Sequence, residues 1–452
     1  MLDFINPQPI RPKCDGSARR DFLKVGTLGL FGLTLADRLR ARATGSAAAR
    51  KAPSIVLLFL DGGASHIETF DPKMTAPQEY RCLFGATPTT LPGVSFGALL
   101  PKMARLAKEM AIVKSFTHKD GDHGGATHWV KTGYSWPPQF LGKAPIIPQQ
   151  HPSMGSVIAR HFGPINAKTG VPHYVRMLSN HGGYPGDDAA WLGQAYSPFR
   201  VGVSGEQANP MLGDMALKVT PTRLADRRVL LRSFDTLDRS LDKTDVMQGM
   251  DGFQRQAVDV VLGKAKEAFD LSREAAKVRG KYGPGLGQEL LLARRLCEAG
   301  AGFVTLNHGY WDHHDGIIPG CEKLCPALDH AVAAFWEDVQ DRGLAKDILL
   351  ILTGDFGRTP RVGNYGNRKS AGRDHWAGLN TLVFMGGGLK IGQVIGESDD
   401  RAGYPKAREI WPQDLLATLF RVLGMDLKLQ YVHPSGRPIS MIENGRPIEE
   451  LF

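Results

Sequence analysis

Seven of the fourteen histidines fall in three short stretches that also carry carboxylates. The first is His118-Lys119-Asp120-Gly121-Asp122-His123-Gly124-Gly125-Ala126-Thr127-His128. The second is Asn307-His308-Gly309-Tyr310-Trp311-Asp312-His313-His314-Asp315, and the third is Gly372-Arg373-Asp374-His375-Trp376. Two further carboxylates, Asp61 and Asp355, each close an apolar run. Neutral imidazole and carboxylate are ligands for zinc, iron or manganese. Each residue alone has an ordinary explanation: Asp61 before Gly62 shapes a turn, Asp355 caps one, His375 satisfies a buried hydrogen bond. Their recurrence at successive strand ends points instead to one shared metal-centred site. Arg358 and Arg373 flank these motifs. Their planar guanidinium suits bidentate anion recognition, and equally a surface salt bridge.

The elements that must position these groups are legible as apolar runs. Ser54 to Leu60 is continuously apolar after its first residue and ends at Asp61-Gly62-Gly63. Such a run reads as a strand buried on both faces of a parallel sheet. Similar runs cover 111–113, 302–306, 348–353 and 379–385. Between them helical spacing appears over 98–109, 153–162, 286–299, 322–342 and 412–423. Alternating strands and helices predict an α/β fold with a doubly wound, mostly parallel sheet. In such sheets sites form at the carboxyl ends of strands, where the candidate ligands lie. The stretch 200–285 is charged, has helical spacing and lacks buried strand runs. It reads as a helical insertion.

The chain has 452 residues, 42% hydrophobic and 22% charged, which excludes disordered and low-complexity classes. No run of about 18 apolar residues occurs, so no integral membrane span is expected. Of the net charge of +9, the first fifty residues contribute +5, from nine basic and four acidic groups. The remaining surplus of +4 over some four hundred residues is no nucleic-acid footprint, which needs basic groups clustered on one face. Residues 1–50 read as an export signal and linker, and 51–452 as one α/β domain. Arg19-Arg20-Asp21-Phe22-Leu23-Lys24 precedes a short Gly-rich apolar stretch and then Ala41-Arg42-Ala43 and Ser46-Ala47-Ala48. That order defines an export signal, and the arginine pair resembles the twin-arginine type. A periplasmic or secreted location follows as an expectation. Cys82, Cys297, Cys321 and Cys325 lie beyond it, and their spacings offer no thiolate zinc site. Cys321 and Cys325 are placed either to bridge or to lie one turn apart on a helix.

Four motifs carry a resemblance to a known family. Leu60-Asp61-Gly62-Gly63-Ala64-Ser65-His66-Ile67-Glu68-Thr69-Phe70-Asp71-Pro72-Lys73 resembles the opening motif of the domain-of-unknown-function family 1501. Trp311-Asp312-His313-His314, Thr353-Gly354-Asp355-Phe356-Gly357-Arg358-Thr359-Pro360 and Gly372-Arg373-Asp374-His375-Trp376 resemble its later motifs. The resemblance runs from about residue 55 to 450. The family looks like a branch of the alkaline-phosphatase and sulfatase superfamily, which implies an alkaline-phosphatase-like sheet and a metal-dependent hydrolase of phosphate or sulfate esters. It implies one or two divalent ions (zinc, manganese or calcium) per chain and a small-molecule or glycan ester as substrate. Asp312 and His314, with neighbouring His313 and with His375, would form one metal site; Asp61 and Asp355 would form the second. There the superfamily has His or Asn where this chain has Phe356, which cannot ligate. The superfamily also places a Ser, Thr or modified Cys nucleophile at the start of a helix ending in Thr-Gly. Lys131-Thr132-Gly133 resembles that end, and counting back about nine residues gives Asp122-His123. His123 can bind metal, act as a covalent nucleophile, or serve as a general base. The alternative is a non-catalytic exported module that binds a glycan or a partner protein on the same fold.

Overall fold

The computed structural model describes residues 52–137, 149–178, 186–202 and 265–452, together with 223, 226 and 227. The export signal and most of the 200–285 stretch lie outside the described residues. Within that stretch, 265–285 carries two short helices, Ala265–Phe269 and Ala276–Tyr282.

One eight-stranded sheet organises the domain. Its strands in chain order are β1 (Ser54–Leu60), β2 (Ala111–Phe116), β3 (Tyr174–Leu178), β4 (Phe199–Gly202), β5 (Phe303–His308), β6 (Ile348–Gly354), β7 (Asn380–Gly386) and β8 (Gln393–Ile395). Their order across the sheet is β8-β2-β7-β6-β1-β5-β3-β4. β1 is central and pairs in parallel with β5 and β6. Only β7 runs antiparallel, between β2 and β6. The five expected strand runs are β1, β2, β5, β6 and β7. β3, β4 and β8 were not anticipated.

Both faces of the sheet are covered. On β1, Val56, Leu58 and Leu60 face a core shared with α3 (Leu286–Glu298) and α4 (Ile317–Asp341). The intervening Ile55, Leu57 and Phe59 face α2 (Met154–Phe162) and α5 (Pro412–Leu423). Period-2 alternation thus sends one apolar set to each face, which is why the run has no polar side. Fully burying each such side chain is worth about 1.5–3 kcal/mol. This is a doubly wound, mostly parallel α/β sheet.

α1 (His123–Thr132) follows β2 and fits the chain locally. Asp122 caps its start, accepting from the Gly124 N–H at 3.0 Å, and Gly133 ends it in the left-handed region at φ +76°. α4 begins earlier than the expected 322 and carries Pro326 in its interior. Cys321 and Cys325 lie one turn apart on it, both buried and not bridged to each other. Among the described residues, no helix is long and apolar enough to cross a membrane.

Candidate metal centre

Sheet topology brings the candidate residues to one edge. β1, β5 and β6 end level, with Leu60 opposite His308 and Gly354. Asp61, the 309–316 loop and Asp355 therefore emerge side by side. β7 runs the other way, so it begins at the edge where its neighbours end. The chain entering it delivers His375, through a two-residue ribbon pairing His375 with Arg358 and Trp376 with Gly357. β2 delivers the start of α1, and with it His123.

The turn after β1 requires its glycines. Gly62 has φ +93°, and a Cβ there would meet the Asp312 backbone nitrogen at 2.9 Å; Gly63 has φ +74°, and its Cβ would meet Phe356 at 2.9 Å. Glycine lets the Asp312 and Phe356 backbones close on Asp61. The Trp311 N–H donates to the Asp61 carbonyl at 2.9 Å and fixes that approach.

Asp312 is the focus. His314 Nε2 and His375 Nε2 lie 3.0 Å and 3.2 Å from its Oδ1, and His123 Nε2 lies 3.4 Å from its Oδ2. The far nitrogen of each ring is held by an acceptor. His123 Nδ1 lies 2.5 Å from Asp355 Oδ2, His375 Nδ1 lies 2.7 Å from the Gly121 carbonyl, and His314 Nδ1 contacts Asp374. Carbonyl and carboxylate oxygens only accept, so Nδ1 carries the hydrogen and each Nε2 is turned inward. The rings pack closely, with His123 and His375 centroids 4.2 Å apart and His314 and His375 4.5 Å apart. Phe356 lies against His123 and His375 at 4.8 Å and 4.6 Å.

His123, Asp312 and His375 each offer one ligand atom, all within 4.8 Å of one another. Two imidazole nitrogens and a carboxylate oxygen make a donor set for a divalent ion. The locked Nδ1–H groups are the outer contacts that orient ligating histidines. The residues present therefore fit a metal ion.

Charge is arranged accordingly. Burial lowers the pKa of His123, but the Asp312 and Asp355 carboxylates outweigh it and raise it to about 9. Burial raises that of Asp312, yet His123, His375 and Arg358 hold it well below the usual carboxylate range. Burial pushes Asp61 up to about 6, with Lys131 acting in the opposite direction. Asp61 is buried, and its Oδ1 has no hydrogen-bond partner among the described residues.

The remaining candidates are placed differently. His313 turns away: its ring lies over Gly320, where a Cβ would meet it at 2.2 Å, and burial brings its pKa down to about 4. Successive residues of the loop point to opposite sides, so the His313 side chain leaves the cluster that Asp312 and His314 enter. Asp355 lies behind His123, its Oδ1 accepting the Phe356 N–H at 3.1 Å. Arg358 and Arg373 are buried rather than on the surface. Arg358 donates to the carbonyls of Gly63 at 2.8 Å and Arg373 at 3.2 Å, to the Gly62 carbonyl, and to Asp312 Oδ1 at 2.6 Å. Arg373 donates to Glu68 at 3.0 Å and to the carbonyls of Thr359, Pro360 and Arg81. Both guanidiniums thus serve protein acceptors, tying the motif loops together. Sequence reasoning did not find the Gly121 carbonyl, Asp374 or Lys131. Asp374 adjoins His375 and carries that signal; a backbone carbonyl carries none.

A family model described as "Protein of unknown function (DUF1501)" matches residues 52–452. No curated protein matches the chain in sequence. Among solved structures, the chain is similar to Ps i-CgsB at 10% identity, covering 83% of this chain and 73% of that one with a TM-score of 0.41. It is similar to a sulfatase from Pseudoalteromonas sp. at 14% identity, covering 92% and 73% with a TM-score of 0.37. A protein in the alkaline phosphatase superfamily from Vibrio parahaemolyticus matches at 10% identity, covering 83% and 67% with a TM-score of 0.38. Likenesses of this order carry no argument about chemistry, which rests on the cluster itself. The family match spans the whole domain from residue 52 to the last residue of the sequence, and the chain belongs to the DUF1501 family.

Proposed function

We propose that the chain is an exported, metal-dependent hydrolase of phosphate or sulfate esters, acting on a small-molecule or glycan ester. The observation that carries the reading is the convergence of three imidazoles on Asp312, each with Nδ1 held from behind. Nε2 of His123 and His375 and the Asp312 carboxylate would hold the ion, with His314 Nε2 beside them. A bound divalent ion supplies Lewis-acid charge at the ester oxygens. The protein's own groups do the rest. Asp355, the Gly121 carbonyl and Asp374 fix the imidazole tautomers and ring angles. Arg358 pins the Asp312 carboxylate and the Gly62-Gly63 turn in one frame. Asp61 Oδ1, buried and without a hydrogen-bond partner among the described residues, would accept a hydrogen bond from a water or substrate hydroxyl that reaches it. Phe356 shields one side of the imidazoles from water. The ester class is supported by the four motif resemblances, and export by the twin-arginine start.

A panel of phosphate and sulfate esters assayed with zinc, manganese and calcium tests this. Turnover is expected with at least one ion, and Asp312→Ala or His375→Ala is expected to lower kcat/KM by about 100-fold or more, some 2.7 kcal/mol. Turnover indifferent to both substitutions would overturn the assignment. A second reading, a non-catalytic binding module on the same fold, is favoured by one observation: Arg358 and Arg373 both serve protein acceptors. It predicts metal binding with no turnover of any ester in the panel.

A further inference from the structure

The loop that follows β5 opens with two aromatic residues that go opposite ways. Trp311 is buried, its Nε1 donating to the His308 carbonyl at 3.1 Å. Tyr310 is 49% exposed, yet its hydroxyl donates to Asp312 Oδ2 at 3.2 Å. That oxygen is the one that faces His123 Nε2. A half-exposed tyrosine on its own needs no explanation. This one reaches from the carboxylate at the focus of the cluster to solvent.

The exposure of its neighbours shows which way the centre opens. Behind His123, Asp355 and Phe356 are fully buried, and the His123 side chain is only 9% exposed. The side chains of His314 and His375 reach 23% and 25%, and Tyr310 twice that. An ester held at the ion places its compact phosphoryl or sulfuryl group in the cluster. Its leaving group then extends along the open side, where Tyr310 stands. The bond to Asp312 anchors the phenol tip, so the ring is held ready at little further cost in side-chain entropy. A second ring laid on it buries area and gains the preferred geometry of stacked or edge-on rings, whereas a short acyclic chain covers little of it.

We propose that Tyr310 is a specificity-determining residue of the centre, a platform that packs against the leaving group, and that the substrates are esters of ring alcohols, a phenol or a pyranose. The proposal rests on the ester-hydrolase reading above and narrows its substrate class.

Steady-state kinetics of the full chain, saturated with manganese or zinc, tests it. Wild type, Tyr310→Phe and Tyr310→Ala are each assayed on phenyl, glucosyl and ethyl phosphate, or on the matching sulfates where those turn over. Comparing variant with wild type on each ester cancels the intrinsic reactivity of the leaving groups. Tyr310→Ala should lower kcat/KM on at least one ring ester by about tenfold, chiefly through KM, and leave the ethyl ester within about twofold. Loss on the phenyl ester alone assigns an aryl leaving group, and loss on the glucosyl ester alone a sugar. Tyr310→Phe keeps the ring and should keep the preference for ring esters. Equal losses on ring and ethyl esters overturn the proposal, as does no loss on either ring ester, or a Phe variant as impaired as the Ala one. Metal titration of the same variants excludes an indirect effect: a weaker ion affinity in Tyr310→Ala would mean that the residue acts only through Asp312, and would also overturn the proposal. A wild type that turns over no ester would instead overturn the hydrolase reading, and the proposal with it.

Discussion

His123 faces two carboxylates with two ring nitrogens, so the proposed metal binding would compete with a proton. Its pKa is held at about 9, so the metal-free protein carries an imidazolium at neutral pH. That raised value stabilises the folded state fully below the unfolded pKa of 6.5, and the benefit is lost as pH rises through about 9. Ligation needs the Nε2 lone pair, so binding expels the proton. The apparent manganese affinity should therefore rise about tenfold per pH unit between pH 7 and 9 and level off above. Isothermal titration across that range checks the slope; an affinity independent of pH would contradict the ligand role. Arg373 makes a prediction of a different kind. Its partner Glu68 is fully buried with it, so Arg373→Met strands a buried carboxylate and should cost about 3–5 kcal/mol in urea unfolding. Glu68→Gln/Arg373→Met should recover much of that. At this scale much of the site was legible. Asp61, Asp312, His314, Asp355 and His375 stand at strand ends or on loops leading from or into strands, and His123 follows from counting back along α1. His313 was drawn in by adjacency to Asp312, because sequence order does not show which side of a loop a residue faces. The arginines read as surface or anion-binding groups because a backbone carbonyl, their main partner here, leaves no mark in a sequence.

Elements decide where these residues arrive. The N-cap of α1 sets the start of the helix and hence the position of His123. Asp122→Ala removes the acceptor for the Gly124 N–H, and should cost about 0.5–2 kcal/mol of stability. It should also weaken metal affinity, since frayed backbone no longer holds the His123 ring against Asp355. Thermal unfolding and metal titration of the same variant check both effects; unchanged affinity with reduced stability would separate the cap from the site. The apolar strands were legible because burial on both faces leaves no polar position to interrupt the run. β3 was missed because Arg176 interrupts Tyr174-Val175-Arg176-Met177-Leu178. Its charge is met there by the buried carboxylate of Asp187. β8 has three residues, too few for periodicity to register. The antiparallel direction of β7 was also hidden, yet it brings His375 to the edge where the other strands end.

The molecule as a whole joins two apolar cores through one sheet and places charge at one edge of it. On the proposed reading the metal centre would be a stability element as well as a chemical one. Ligand at a hundredfold excess over its dissociation constant stabilises a fold by about 2.7 kcal/mol. Manganese or zinc should raise the melting temperature of the wild type and leave Asp312→Ala unmoved. An equal rise in both would place the bound ion elsewhere. The fold class was readable from the alternation of runs. What could not be read was how loops as far apart in sequence as those of His123 and His375 share one carboxylate, because that depends on strand order across the sheet.

Anomalous diffraction from crystals soaked in zinc or manganese locates a bound ion relative to the three inward-facing ligand atoms. One peak is expected within about 2–2.5 Å of His123 Nε2, His375 Nε2 and an Asp312 oxygen. No peak there, or a peak ligated by a different set of residues, would contradict it.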